Sequence, residues 1–171
     1  MSVAIDPLAM TVSVRPESPL QDEIRELVRQ LNTYLLTLSP PEACYHMTVE
    51  QMAEPATTLF VARDENGKAV GIGALRREGN GIGEVKRMYT LPEVRGQRIG
   101  RVLLDRIVDL AETERLTQLV LETGDRHHDA WRLYERAGFT RCGPVLDYPG
   151  SKWSVFFEKP LGGEARQQAR A

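Results

Sequence analysis

The sequence predicts an α/β protein of the α+β kind, a mixed central sheet of about seven strands covered by helices. Three observations carry this. Three strand-like segments follow one another between residues 58 and 91, joined by glycine-rich turns, as in an antiparallel meander. Beyond them the pattern changes to helix, strand, helix and two closing strands. Two amphipathic stretches, near 20–36 and 99–115, each carry one apolar face to lay on a sheet.

Taken in order, residues 10–16 (MTVSVRP) alternate enough to be a first strand. Leu20, Ile24, Leu27, Leu31 and Leu35 recur at steps of three or four and predict a helix, which Pro40 and Pro41 end. Residues 42–53 have room for a short second helix. Residues 58–63 (TLFVAR) read as a strand, and the DENGK turn at 64–68 carries an Asn-Gly pair, a strong hairpin signal. The chain returns over 69–77, turns at glycines 79, 81 and 83, and runs out again over 83–91. Residues 99–115 form a helix with Val102, Leu103, Ile107, Leu110 and Ala111 inward. A Leu- and Val-rich strand covers 116–123, and a helix covers 128–138 with Gly138 as its C-cap. Segments 139–143 and 151–161 close the sheet. One domain over 10–161 is expected, with a disordered tail over 162–171.

The chain of 171 residues is 42% hydrophobic, enough for a core without disulfide or metal staples. Its formal net charge of −2 gives no global pull toward nucleic acid or an anionic membrane. Cys44 and Cys142 lie far apart with no ligand-like spacing, so neither a disulfide framework nor a zinc site is expected. The opening MSVAIDPLAM has no basic segment followed by a long apolar run. A soluble cytoplasmic protein is the expectation, with no nucleic acid, membrane or metal partner.

The segment 94–101 (VRGQRIGR) joins a strand to a helix and is built as an anion site. Backbone N–H groups and a helix N-terminus converge there, and both favour a phosphate. Gly96 and Gly100 let the backbone come close to a ligand, and Arg95, Arg98 and Arg101 can add charge-assisted bonds. A solvated basic turn is the competing reading. The loop is not a Walker loop, because no Gly-Lys-Ser/Thr follows, and its glycine spacing is not that of a dinucleotide fingerprint.

RGQRIG at 95–100 resembles the pyrophosphate-binding signature of the GNAT acyltransferases, and AWRLYERAGF at 130–139 resembles that family's Ala-x-x-Leu-Tyr-x-x-x-Gly-Phe segment. The element order matches as well, over roughly residues 10–161. EVKRMY, LETG and LYERAGF together look like a bacterial subgroup of unassigned substrate. The resemblance implies the GNAT fold, with helices on both faces of the sheet, and transfer of an acetyl group from acetyl-CoA to a primary amine on a small molecule or peptide. It places acetyl-CoA beside the strand 84–91, its pyrophosphate on Arg95, Gly96, Gln97, Arg98, Ile99, Gly100 and Arg101, and its pantetheine along Met88, Tyr89 and Thr90. Homodimers are frequent in the family. Two positions depart from the pattern: Arg98 stands at the family's central glycine, and His127 stands where the family often has Asn. An imidazole there can donate to a pantetheine carbonyl.

The chemistry needs a neutral amine, a donor for the carbonyl oxygen, a proton or hydrogen bond for the leaving thiolate, and alignment of the substrates. Tyr134 is the candidate acid, since a phenol with a pKa near 10 is protonated beside a thiol near 8.5. Glu84 is the candidate base, with ordered water or a pairing to Lys86 as the alternatives. Glu122, at the end of the strand 116–123, can bind a cationic substrate or share the base role, or pair with Arg87 or Arg126. Tyr148 and Trp153 are candidates for the acceptor pocket. A non-catalytic acyl-CoA-binding protein or sensor is the competing function.

Overall fold

A computed structural model describes residues 10–162 of the chain. The tail expected from 162 therefore lies, from residue 163 on, outside the described residues. The order is β1 (Ser13–Pro16), α1 (Asp22–Leu38), a 3-10 turn (Pro41–Ala43), α2 (Val49–Met52), β2 (Thr57–Arg63), β3 (Ala69–Gly79), β4 (Ile82–Thr90), a 3-10 turn (Pro92–Val94), α3 (Ile99–Thr113), β5 (Gln118–Gly124), α4 (His128–Arg136), β6 (Thr140–Cys142) and β7 (Ser154–Pro160). These are the predicted elements, with ends shifted by a few residues. The first strand is shorter than expected, and the expected second helix resolves into a 3-10 turn and a single α-turn.

The seven strands form one sheet in the order β1-β2-β3-β4-β5-β7-β6. All pairs are antiparallel except β4 and β5. The parallel pair is forced by the sequence, because α3 lies between those strands and carries the chain back to the same end. From Ala69 to Leu75 every residue of β3 is buried, the mark of a strand covered on both faces. One face takes α3: a Cβ added at Gly71 would meet Leu103 and Ile99 at 3.1 and 3.3 Å. Leu103, Leu104 and Ile107 of α3 are fully buried. Helix α1 packs on β3 and β4 through Ile24, Leu27, Val28 and Leu31.

Local signals hold the ends of the helices. Asp22 and Glu23 sit in the first turn of α1, where the helix dipole favours negative charge. Arg63 on β2 then bonds Glu23 at 2.5 Å and Glu17 at 2.8 Å, fixing the start of α1 to the sheet. Thr48 and Gln51 form a reciprocal capping box on α2. Gly138 follows α4 at φ +86°, a conformation natural to glycine.

Removing side-chain volume at the α3–sheet contact should be costly. Leu103→Ala is expected to lower the unfolding free energy by about 2–5 kcal/mol, whereas Thr48→Ala should cost about 1 kcal/mol. Urea denaturation of the two variants checks the ranking.

Candidate active site

The site exists because β4 and β5 part company. Their parallel ladder has three pairs, Ile82–Gln118, Gly83–Leu119 and Glu84–Val120. Beyond these, β4 runs on to Thr90 and β5 to Gly124 without pairing to each other, while their outer edges stay on β3 and β7. A wedge opens between them, flanked by two strand edges.

A bulge on β4 sits at the wedge. Ile72 opposes Tyr89 and Ala74 opposes Lys86, so Gly73 alone faces both Arg87 and Met88. Arg87 takes φ +56° to make this possible. Gly73 has to be glycine, since a Cβ there would lie 2.5 Å from the Met88 sulfur and 3.2 Å from Ile107.

The cavity behind the wedge is lined by β4 from Glu84 to Met88, by Glu122 to Gly124 of β5, and by Leu31 and Leu35 of α1. Ser39 and residues 43–46 after α1 close one side; His127, Ala130, Tyr134 and Tyr148 close another. Glu84 is 3% exposed and accepts hydrogen bonds from the Tyr148 hydroxyl at 2.5 Å and from Lys86 at 3.2 Å. Lys86 also donates to the Tyr148 oxygen at 2.7 Å. Glu78 belongs to the same group: burial and the Glu84 carboxylate beside it raise its pKa. The pairing of Glu84 with Lys86, weighed from sequence, is therefore present.

Glu122 is pushed up to about 7, first by burial and also by Glu84, against the lowering effect of Ser154 and Lys86. A carboxylate near 7 is poised to exchange a proton at neutral pH. Tyr134 is 6% exposed and packs on Phe139 and Phe157. Burial, with Glu122 nearby, raises its phenol well above the ordinary value, so it stays protonated. Full transfer of that proton to a thiolate of pKa near 8.5 is uphill by roughly 2 kcal/mol or more. Its chemistry is hydrogen-bond donation. His127 keeps a buried Nε2 without a partner among the described residues, and burial holds its pKa down, so the ring is neutral. Gly124 makes room for it: a Cβ there would lie 2.8 Å from the imidazole.

The 94–101 loop lies at the outer end of β4. Arg98 adopts the left-handed conformation, φ 63° and ψ 16°, as the residue before α3. The geometry that favours glycine is thus present with an arginine in it, at a cost of about 1 kcal/mol. The N–H groups of Ile99, Gly100 and Arg101 precede the helical ladder, which begins with Val102 donating to the Arg98 carbonyl at 3.1 Å. Arg95 is exposed and lies over the rings of Tyr34 and Tyr89, 5.1 and 5.8 Å from their centroids. Arg101 is held by Asp105 at 2.8 Å and by the Arg136 carbonyl at 3.0 Å.

Of the sequence-predicted residues, Glu84, Met88, Glu122, His127, Tyr134 and Tyr148 line one cavity. Trp153 does not line it; its ring lies beneath Lys152, 4.8 Å from the ammonium. Sequence reasoning missed Asn32, Tyr45, His46 and Glu78, and it gave Arg87 only a pairing role. One signal was readable: Arg87 shares strand parity with the apolar Val85 and Tyr89, which points it inward.

A parted parallel pair with a glycine-loop helix start beside it defines an acyl-CoA-dependent acyltransferase. Residues 22–139 match the model of the acetyltransferase (GNAT) family, and the chain belongs to that family. It is 41% identical over 151 residues to the IAA acetyltransferase of Azospirillum brasilense, covering 88% of this chain and 98% of that protein. It is 34% identical over 142 residues to YsnE of Bacillus subtilis, an uncharacterized N-acetyltransferase, covering 80% and 93%. A Klebsiella pneumoniae protein classed with the acyl-CoA N-acyltransferases superposes with a TM-score of 0.77 at 31% identity, covering 88% and 98%. The chain is an acetyl-CoA-dependent N-acetyltransferase. No helix among the described residues is long and apolar enough to cross a membrane.

The state of Glu122 can be read from stability. Its folded pKa lies above the ordinary 4.5, so between about 4.5 and 7 the native state holds a proton that the unfolded state has lost. That stabilisation is complete below the unfolded value and disappears as pH rises, leaving a buried charge. Glu122→Gln is expected to match the parent at pH 4 and to exceed it by about 1–3 kcal/mol at pH 8. Chemical denaturation at the two pH values measures this.

Proposed function

We propose that this acetyltransferase works by direct attack of a primary amine on acetyl-CoA, both held in the β4–β5 wedge, with Glu122 as the base and Tyr134 as the donor to sulfur. The observation that carries the reading is two groups lining one cavity, a Glu122 carboxyl pushed up to about 7 by burial and a buried Tyr134 phenol whose pKa burial raises.

Gly96 and the first turn of α3 bind the pyrophosphate through backbone N–H groups, with Arg95 and Arg98 supplying charge, while the Gln97 N–H closes the turn on the Val94 carbonyl. Arg101, already engaged, fixes the loop. The open edge of β4 at Met88, Tyr89 and Thr90 pairs with the pantetheine amides, and a backbone N–H next to the bulge takes the thioester carbonyl oxygen. His127, whose Nε2 has no partner among the described residues, donates to a pantetheine carbonyl. Glu122 accepts a proton from the incoming ammonium, directly or through water, and frees its lone pair. The nitrogen bonds to the acetyl carbon, the carbon–sulfur bond breaks, and Tyr134 hydrogen-bonds the departing sulfur. The thiolate takes its proton from the new amide nitrogen by way of Glu122 or solvent, so proton and electron pair balance. Glu84, held by Tyr148 and Lys86, sets the field around Glu122.

At about a hundredfold its dissociation constant, acetyl-CoA should stabilise the fold by roughly 2.7 kcal/mol, on the order of 5–10 °C in Tm, with little effect from ADP. An absent shift would remove the acyl-CoA site. Tyr134→Phe should lower kcat on the order of 10- to 1000-fold with unchanged acetyl-CoA affinity. The acidic limb of the kcat/KM profile, with an apparent pKa near 7, should vanish in Glu122→Gln.

A further inference from the structure

Arg87 carries a charge that nothing described in the fold uses. It is 8% exposed, and the residue lines the cavity. Its Nη2 donates to the side-chain oxygen of Asn32 on α1. Its Nε is buried without an acceptor, and no carboxylate among the described residues pairs with it. Burial alone pulls its pKa down to about 10, so the guanidinium remains charged at neutral pH. A buried charge without a counter-charge is expensive and is rarely kept for stability. The same residue occupies the bulge with φ +56°, a second unfavourable feature at one position.

A second unpartnered nitrogen lies beside it. His46 also lines the cavity, its Nε2 is buried without a partner, and its pKa is lowered first by burial and then by Arg87. Elsewhere in the cavity the charges are matched or acidic. Lys86 is paired with Glu84, and Glu122 feels Glu84 and Lys86. The cavity therefore has an acidic region, where an ammonium is deprotonated, and a separate one with the Arg87 charge and two unpartnered side-chain nitrogens, Arg87 Nε and His46 Nε2.

We infer that the acceptor is an amino acid, its carboxylate held by Arg87 and His46 and its amine delivered to Glu122. This rests on the acetyl transfer proposed above and names its substrate class. A planar guanidinium fork fits a carboxylate, and one positive charge neutralises a monoanion. A phosphate dianion would leave excess negative charge next to Glu84 and Glu122. The reading also separates free amino acids from polyamines and protein N-termini, which bring no carboxylate to that place.

The test has two stages on the purified full chain. Acetyl-CoA binding is first measured by the shift in Tm. Thiol release is then followed with the twenty standard amino acids, their carboxamides, the corresponding decarboxylated amines and aminophosphonates. The expected result is that at least one amino acid is a substrate and that kcat/KM for it exceeds that of its carboxamide and its aminophosphonate by on the order of 100-fold. Arg87→Gln should raise KM for that amino acid roughly 10- to 100-fold and remove the preference over the carboxamide, with the acetyl-CoA shift in Tm intact. His46→Gln should weaken the same preference to a smaller degree. Amines without a carboxylate matching or surpassing the amino acids would overturn the inference and leave the acetyltransferase mechanism standing. So would acetyl-CoA binding with no amino acid accepted. Failure of acetyl-CoA to bind would instead defeat the mechanism itself.

Discussion

The structure depends on a parallel strand pair that is allowed to pair at only one end. Three ladder positions hold β4 to β5, and past Glu84 the two strands diverge with apolar layers still covering the sheet. Backbone groups on a diverging edge need partners, and an extended chain bearing amides can supply them. The bulge at Arg87 and Met88, accommodated by Gly73, re-aims β4 at that point. Fold and binding site are thus one geometric decision. The sheet stays continuous on β3 and β7, and the single interrupted ladder becomes the cleft.

Electrostatics divides the cavity into parts with different tasks. Glu84 is buried but satisfied by Tyr148 and Lys86. Glu122 has less support, and burial raises its pKa to about 7. The two carboxyl groups on neighbouring strands thus differ in their hydrogen-bond partners. Glu84, the residue chosen as base from its place in sequence, is the more firmly committed of the two. Tyr134 differs again: burial keeps its proton in place, which suits hydrogen bonding to sulfur and disfavours its release.

The loop before α3 shows how much a departure from a motif can matter. Arg98 takes the left-handed conformation where glycine is the easier residue. The backbone course is preserved at a modest energetic cost, and an exposed side chain is added to the loop. Arg101, three residues on, looks similar in sequence yet is tied to Asp105 and the Arg136 carbonyl. Two arginines of one short motif thus have different freedom, which their spacing does not reveal.

The sequence by itself determined the element order, the sheet class and the position of the glycine- and arginine-rich turn before α3. These follow from local periodicity, Asn-Gly and proline punctuation, and glycine placement, all properties of neighbouring residues. That Tyr134, Glu84 and Glu122 share one cavity was also foreshadowed, because they stand at fixed offsets within recognisable segments. The tertiary structure decided which side chains meet. Tyr148 reaches Glu84 across 64 residues of chain, and Asn32 reaches Arg87 across 55. It also decided which charges are paid for by partners and which, like that of Arg87, are left over. Trp153 was drawn toward the pocket by its place near the last strand, yet it carries Lys152 outside the cavity lining. Partner choice between distant segments depends on strand order and on where a bulge turns a side chain. No local pattern encodes those.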